Sequence, residues 1–190
     1  TISRRQRQMC IRDRIERVET GDDTRKFAPP YMKDIDGKDT NQSAYFSGTN
    51  RNKRSLTLDL SSEEGQSIAR ELISKSDILV ENFKVGTLKK YNLDYESLKD
   101  QFPNLIYCSI TGFGQTGPYA NRPAYDALVQ AMGGVMSLTG EPDGEPMKVG
   151  VSIADLMAGM YATVSILAAL RHRDKTCLLY TSPSPRDVRS

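Results

Sequence analysis

A long apolar stretch in the later part of the chain contains a single aspartate, Asp155, near its beginning. The stretch reads VGVSIADLMAGMYATVSILAALRHR over residues 149–173. In a helix, this carboxylate would lie in the first turn, where unpaired backbone amides and the helix dipole favour an anion. A carboxylate at that place either caps the helix or takes part in chemistry. Ser152 and Asp155 have the spacing of a capping box, so spacing alone favours capping.

The remainder of this stretch has the periodicity of an amphipathic helix. Apolar residues recur at intervals of three and four, which places them on one face. The stripe expected to be buried consists of Met157, Met160, Tyr161, Val164, Leu167 and Leu170. Charges and glycines interrupt every apolar run, so we expect no membrane-spanning segment.

The two ends of the chain differ from its middle. One nucleotide sequence encodes Met9–Asp13 on one strand and Cys177–Ser182 on the other, as when a sequencing adapter is joined to both ends of a fragment. Two ends of a protein have no physical reason to encode opposite strands of one oligonucleotide. We therefore predict that residues 1–14 and 177–190 are translated adapter, and that residues 15–176 are part of a larger domain.

Setting these ends aside changes the composition. The formal charge is +2 for the whole chain but −3 for residues 15–176, which carry 19 basic and 22 acidic side chains. A mildly acidic body argues against nucleic acid as a partner. Only Cys108 remains of the three cysteines, which is typical of a buried small residue in a reducing compartment, so we expect a cytoplasmic protein.

Apolar runs and turn signals predict alternating strands and helices. The strands are expected over residues 56–60, 77–83 and 105–111. The helices are expected after an N-cap at Ser61 and over residues 95–102, 124–136 and 154–173. This alternation indicates an α/β fold with a parallel sheet, whose ligands bind at the carboxyl ends of the strands.

A glycine-rich loop, GFGQTG over residues 112–117, follows the third predicted strand and formally matches the dinucleotide fingerprint G-x-G-x-x-G. The match is weak, because Pro118 comes directly after the third glycine and no helix is predicted to begin there. Glycines that let the backbone pass close to a ligand or another chain segment explain this loop better than a nicotinamide cofactor.

Six ordered blocks resemble the class III coenzyme A transferases, the CaiB/BaiF family. They are IERVETGDDTR, NRNKRSLTLDL, DILVENFKVGTLKKY, LIYCSITGFGQTGP, PAYDALVQAMGG and VSIADLMAGMYATVSILAALRHRDKT, within residues 15–176. The resemblance implies an incomplete large domain with a parallel Rossmann-like sheet flanked by helices, from a protein that forms an interlocked homodimer. It also implies coenzyme A and acyl-coenzyme A as substrates, no tightly bound cofactor, no metal, and a fragment that is inactive alone.

The resemblance assigns chemistry to three residues. Asp155 takes the place of the family nucleophile, which attacks a thioester to form a mixed anhydride and then carries coenzyme A as an aspartyl thioester. Tyr125 and Asp126 match residues that line the reacting centre. In the order of its blocks, the chain resembles the branch of the family that acts on dicarboxylates and their thioesters, such as succinyl-coenzyme A.

Five further positions match contacts to coenzyme A. Arg17 matches a ligand of the nucleotide phosphates, and Leu58 matches an apolar wall near the adenine. Asn82 and Phe83 match a pair that holds the pantetheine and the base. Lys90 stands where the family commonly has arginine, so the positive charge is kept without the bidentate geometry.

Two alternatives to transfer follow from the same residues. Some relatives are racemases that exchange the α-proton of an acyl-coenzyme A with a His and Asp pair, chemistry that needs two bases. Here Tyr125 occupies the position of that histidine, and the one histidine of the chain, His172, lies at the far end of the predicted helix. The other alternative is a module that binds coenzyme A without turnover.

Overall fold

A computed structural model describes residues 13–176, which belong to two compact units. Among the described residues, the first unit covers 13–69 and the second covers 70–176, so the boundary falls inside the helix Glu63–Ser74. Each unit contains a parallel pair of strands accompanied by helices. The predicted α/β class is confirmed.

The first unit is built on a parallel pair formed by β1 (Asp13–Glu16) and β4 (Arg54–Thr57), with Asp13 opposite Arg54 and Glu16 opposite Thr57. The strand predicted over residues 56–60 therefore begins earlier and ends earlier. Between these strands in the chain, β2 (Tyr31–Lys33) and β3 (Asp39–Ser43) form an antiparallel hairpin in a segment for which no strand was predicted.

Two helices of the first unit begin at serine caps. Helix α1 (Ala44–Thr49) starts after Ser43, whose Oγ accepts from the amide of Phe46 at 3.1 Å. Helix α2 (Glu63–Ser74) is capped by Ser62 rather than by the predicted Ser61. The cap moves by one residue because the Ser61 hydroxyl instead donates to Asp59 Oδ1 at 2.6 Å.

The residues Asp13 and Arg14 lie inside β1, although the adapter assignment places them outside the protein. Arg54 donates two hydrogen bonds to the Asp13 carboxylate, at 2.6 and 2.8 Å, and Arg14 forms an ion pair with Asp22. Many unrelated sequences can form backbone pairing and exposed ion pairs of this kind, so these contacts do not test whether Asp13 and Arg14 come from an adapter. The assignment of residues 1–14 and 177–190 stays a prediction, and residues 1–12 and 177–190 lie outside the described residues.

The main polar interaction of the first unit is a buried carboxylate, Glu16, which is 5% exposed. Arg25 donates to both of its oxygens, at 2.7 and 2.9 Å, and the Ser55 hydroxyl and the Asp22 amide also donate to it. The hydrogen bonds from Arg25, helped by those from Ser55 and Asp22, lower the pKa of Glu16 from its usual 4.5 to about 2 despite its burial. Glu16 therefore ties β1 and β4 to the turn that follows β1.

We predict that Glu16→Gln destabilises the protein at neutral pH by about 1–3 kcal/mol, because it replaces a buried carboxylate that accepts two hydrogen bonds from the Arg25 guanidinium with a neutral amide. A depressed pKa gives stability that is present above about pH 4.5 and lost as the pH falls towards about 2, up to about 3 kcal/mol for this shift. Denaturant unfolding at neutral pH and near pH 3 measures both effects. The exposed Glu145→Gln is the control, and a deficit of equal size at both pH values would contradict the assignment.

The second unit is built on the parallel pair β5 (Ile78–Glu81) and β6 (Ile106–Ser109), with Ile78 opposite Ile106. Both strands lie within their predicted ranges. Helix α3 (Tyr95–Leu98) is shorter than predicted, and Tyr95 packs edge-on against Tyr107 with ring centroids 6.0 Å apart. The buried apolar residues of this unit are Ile73, Leu88, Leu93, Leu98, Leu105 and Ile106.

Two further helices complete the described part of the second unit. The helix predicted over residues 124–136 is α4 (Asp126–Met132), followed by a short 3₁₀ turn, Val135–Ser137. Gly134 separates the two because its φ of +80° does not continue a right-handed helix. Helix α5 (Ile153–Thr176) contacts α4 and β6, and near its end Arg173 donates to Asn104 O at 2.9 Å and to Asp77 Oδ1 at 3.1 Å.

The expectation of a buried apolar stripe on α5 was wrong for the described residues. Met160, Tyr161, Val164 and Leu167 are each 60–65% exposed, and only Leu170 of the expected stripe is less than about one-third exposed. A helix that is apolar on several sides needs more than one covering element, and α4 and β6 cover only part of it. Helix α5 is also long and apolar enough to cross a membrane by length and composition, contrary to the expectation from sequence. Core helices of soluble proteins pass the same test.

Candidate functional site

The carboxyl ends of β5 and β6 are joined by a side chain. Asn82, directly after β5, donates from Nδ2 to the carbonyl of Ile110, directly after β6, at 2.5 Å. Its neighbour Phe83 is 44% exposed, and its amide donates to Glu81 Oε2 at 2.7 Å. Asn82 and Phe83 thus lie at the edge of the parallel pair where a ligand of an α/β fold would bind.

A close approach of two backbone segments brings the start of α4 to the same edge. A Cβ added to Gly112, two residues past Ile110, would lie 2.1 Å from Ala124 Cβ. Any side chain at Gly112 would therefore overlap with Ala124. The missing side chain lets the loop after β6 pack against the residue that precedes Tyr125 and Asp126.

Asp126 caps the helix that carries Asp155. Its Oδ1 accepts from the amide of Ala154 at 2.8 Å and, over a longer 3.4 Å, from the amide of Asp155. A capping box would have directed the Asp155 amide to Ser152, so the local pattern in the sequence misassigned the capping group. The carboxylate of Asp155 is not required to cap α5, because a carboxylate from α4 does so.

The environment of Asp155 disfavours its charged form. Partial burial raises the pKa of Asp155 above its usual 3.8, and the nearby negative charge of Asp126 raises it further. A carboxylate that has lost part of its hydration is a stronger nucleophile than one in water. Since the folded-state pKa is raised, ionised Asp155 opposes folding at neutral pH, and this cost disappears as the pH falls below that pKa.

Tyr125 occupies the N-cap position of α4 with an extended backbone, and 83% of its surface is exposed. It directly precedes Asp126, so the structure places Tyr125, Asp126 and Asp155 in one neighbourhood. A phenol at this position can donate a hydrogen bond to a ligand that approaches Asp155. The three residues expected to line the reacting centre are therefore brought together.

Lys90 lies on a 3₁₀ turn, Leu88–Tyr91, that follows β5 and is anchored by the buried side chain of Leu88. The turn ends at Asn92, which has a left-handed backbone with φ +52°. Lys90 is exposed, and no hydrogen bond or ion pair within residues 13–176 joins it to Asn82 or Asp155. Its expected phosphate contact stays a prediction.

Arg17 and Leu58 belong to the first unit, where the parallel register places them side by side just past β1 and β4. The amide of Leu58 donates to Glu16 O at 3.0 Å, which extends the strand pairing by one residue. The guanidinium of Arg17 is exposed and forms an ion pair with Asp23. A phosphate bound by Arg17 would compete with Asp23 for the same donors.

The described part of the chain contains neither a metal-ligand group nor a dinucleotide-binding turn. No group of three or more His, Cys, Asp or Glu side chains within residues 13–176 could hold a metal ion. His172 is half-buried near the end of α5 opposite to Asp155. The loop GFGQTG leads into no helix before α4, so it does not form the strand-turn-helix of a dinucleotide site.

Residues 14–177 match the family model described as CoA-transferase family III. The chain belongs to this family. It is 53% identical to a succinate–glutarate CoA-transferase of Agrobacterium fabrum over 84% of the chain and 40% of that protein. It is 45% identical to an acetyl-CoA:oxalate CoA-transferase of Acetobacter aceti over 86% of the chain and 40% of that protein.

The similarity extends to known structures of the same family. The crystal structure of a CaiB/BaiF family protein from Brucella suis is 51% identical and matches with a TM-score of 0.80 over 87% of this chain and 43% of that chain. The resemblance to class III CoA-transferases is confirmed. The chain spans about 40% of the length of the curated relatives it matches.

Within this CoA-transferase fold, sequence reasoning missed two features that hold the site. One is the contact between Gly112 and Ala124, which depends on distance in space and has no local pattern. The other is Gln130, whose Nε2 donates to Asp126 Oδ2 at 2.6 Å. The spacing of Asp126 and Gln130, four residues apart on a predicted helix, is the signal that could have found this pair.

We predict that Gly112→Ala destabilises the protein by about 1–3 kcal/mol, because the new methyl group overlaps with Ala124 Cβ. The double variant Gly112→Ala with Ala124→Gly should recover most of this loss, since it restores the space. Gly150→Ala is the matched control, because a Cβ there meets nothing within 4 Å. Denaturant midpoints measure the effect, and an equal loss in both alanine variants would exclude the steric explanation.

Proposed function

We propose that the protein transfers coenzyme A from an acyl-coenzyme A to a carboxylic acid, with Asp155 as the group that accepts the acyl chain. The observation that carries this proposal is the separation of two carboxylates: Asp126 caps α5, while Asp155 in the first turn of α5 is left without a capping role, stays accessible to solvent and has a raised pKa. Family membership supports coenzyme A transfer as the reaction.

The transfer runs in two balanced halves. The Asp155 carboxylate attacks the thioester carbonyl, the carbon–sulfur bond breaks, and coenzyme A leaves as thiolate while the acyl group and Asp155 form a mixed anhydride. The thiolate then attacks the Asp155 carbonyl of that anhydride, which releases the donor acid and leaves an aspartyl thioester. The acceptor carboxylate reverses these steps: it displaces the thiolate to form a second anhydride, and the thiolate takes the acceptor acyl group and restores Asp155.

The other residues of the site have supporting roles in this proposal. The phenol of Tyr125 can donate to the oxyanion that forms on the attacked carbonyl. Asn82 and Phe83 bind the pantetheine and base at the end of β5, where both are exposed. The nucleotide contacts that the family resemblance assigns to Arg17 and Leu58, in the first unit, and to Lys90, in the second, stay predictions. No step needs a metal or a bound redox group, because only acyl bonds are exchanged.

Dicarboxylates are the proposed substrates. Relatives that are 53% and 41% identical are named for succinate or succinyl-CoA with glutarate, and others for oxalate and mesaconate. These names support a short diacid as the acceptor and, by the succinyl-CoA names, the coenzyme A thioester of a diacid as the donor. The cytoplasmic location expected from the single cysteine of the body stays a proposal.

We also propose that the protein works as an interlocked homodimer. The described chain leaves Met160, Tyr161, Val164 and Leu167 exposed along α5, an apolar surface of a kind that other chain segments normally cover.

Light scattering of the complete polypeptide should give twice the monomer mass, and the double substitution Val164→Glu with Leu167→Glu should give monomer or aggregate. A monomeric parent protein would exclude the dimer.

Trapping of the acyl-enzyme tests the role of Asp155. The complete polypeptide that contains this chain is incubated with succinyl-coenzyme A and hydroxylamine, and mass spectrometry should find a hydroxamate on Asp155. Asp155→Asn should abolish this label and lower kcat by at least about 10³-fold. The control, Asp174→Asn, lies at the other end of the same helix and should retain both.

The same experiment separates transfer from binding alone. If the protein binds coenzyme A but never labels Asp155, it is a binding module and the transfer mechanism is wrong. Label formation should also fall as the pH drops through the pKa of Asp155, because only the carboxylate is a nucleophile. Since that pKa is raised, the acid limb should lie above the range of an ordinary aspartate.

A further inference from the structure

The side chain of Gln130 is the most deeply buried polar group near Asp155. It lies on α4, one turn after Asp126, and the residue is 1% exposed. Burying a carboxamide costs free energy unless both of its ends are hydrogen-bonded. The contacts of Gln130 therefore show what the side chain holds in place.

Both ends of the carboxamide have partners. Oε1 accepts from the amide of Val149 at 2.8 Å, while Nε2 donates to Asp126 Oδ2 at 2.6 Å and, more weakly, to the carbonyl of Val151 at 3.4 Å. The chemistry of the partners determines the orientation of the amide. A rotated amide would place NH₂ against the Val149 N–H and its oxygen against the Asp126 carboxylate.

These contacts form a continuous hydrogen-bonded path to the first turn of α5. Gln130 holds the segment before the helix at Val149 and Val151, and it holds one oxygen of Asp126. The other oxygen of Asp126 accepts from Ala154 and Asp155. Residues 149–155 are therefore attached to α4 on both sides of the point where the helix begins.

We propose that Gln130 is a positioning residue for the acyl transfer, which orients Asp126 and thereby fixes the backbone that carries Asp155. This inference rests on the proposed function of Asp155. Gln130 itself touches no substrate in this scheme. A neutral donor is needed because a carboxylate at this position would repel Asp126, and an apolar side chain would leave Asp126 Oδ2 and the Val149 amide without their partner.

Two variants of the complete polypeptide test the proposal. Gln130→Met keeps the length of the side chain but removes its hydrogen bonds, and Gln130→Glu adds a negative charge facing Asp126. Both should lower kcat and the rate of hydroxamate formation on Asp155 about 10- to 100-fold, while KM for the acyl-coenzyme A changes less than about twofold. Gln130→Glu should also move the acid limb of the rate to higher pH, because the added charge disfavours ionised Asp155.

A second measurement keeps the test independent of activity. Hydrogen exchange at the amides of Val149, Ala154 and Asp155 should become about tenfold faster in Gln130→Met, while amides in β5 and β6 stay unchanged. Gln42→Met and Gln42→Glu are the controls, because Gln42 is an exposed residue of β3. They should change neither exchange nor rate.

The outcomes separate this inference from the proposed function. Unchanged exchange in Gln130→Met overturns the positioning role, as does faster exchange with an unchanged labelling rate and pH profile. If Gln130→Glu fails to fold, Gln130→Met decides through its ratio of kcat to KM and its exchange. A parent protein that never labels Asp155 overturns the proposed function, and exchange alone then decides whether Gln130 fixes residues 149–155.

Discussion

The backbone amides at the start of α5 need a hydrogen-bond acceptor, and the carboxylate that accepts from them organises the rest of the site. The first turn of a helix exposes amides that its own backbone cannot pair. Asp126, from α4, supplies the acceptor oxygen, and Gln130 holds the other oxygen of the same carboxylate. The position of α4 depends in turn on the close packing of Gly112 against Ala124. Asp155 is thus placed by contacts that begin at the end of β6.

The placement of Asp155 near Asp126 costs electrostatic free energy in the folded state. Partial burial of Asp155 disfavours its ionised form, and repulsion from the nearby Asp126 carboxylate adds to the penalty, which is why the pKa of Asp155 is raised. The capping bonds to Asp126 offset part of this cost, since charge-assisted hydrogen bonds to a helix start are stronger than neutral ones. The acid that stabilises the first turn, Asp126, is therefore different from the acid proposed to react, Asp155.

The sequence predicted the elements that depend on local periodicity and missed those that depend on packing. Apolar runs located β5, β6 and α5, and the order of the blocks identified the family and the candidate nucleophile. The hairpin of β2 and β3 was missed because its short strands are exposed and lack an alternating pattern. The capping box was wrong because the acceptor lies 29 residues away in sequence. The stripe on α5 was misjudged because periodicity reveals an apolar face without showing what covers it.

The contact between Gly112 and Ala124 also has a consequence for how such chains diverge. One small volume is shared by two positions that lie on different segments, and a methyl group from either position fills it. Among descendants of this sequence, we expect a larger residue at position 112 to occur only together with glycine at position 124. A mismatch between these two positions would shift the start of α4, and with it Asp126 and the first turn of α5. Natural variation at these two sites should therefore be anticorrelated in side-chain size.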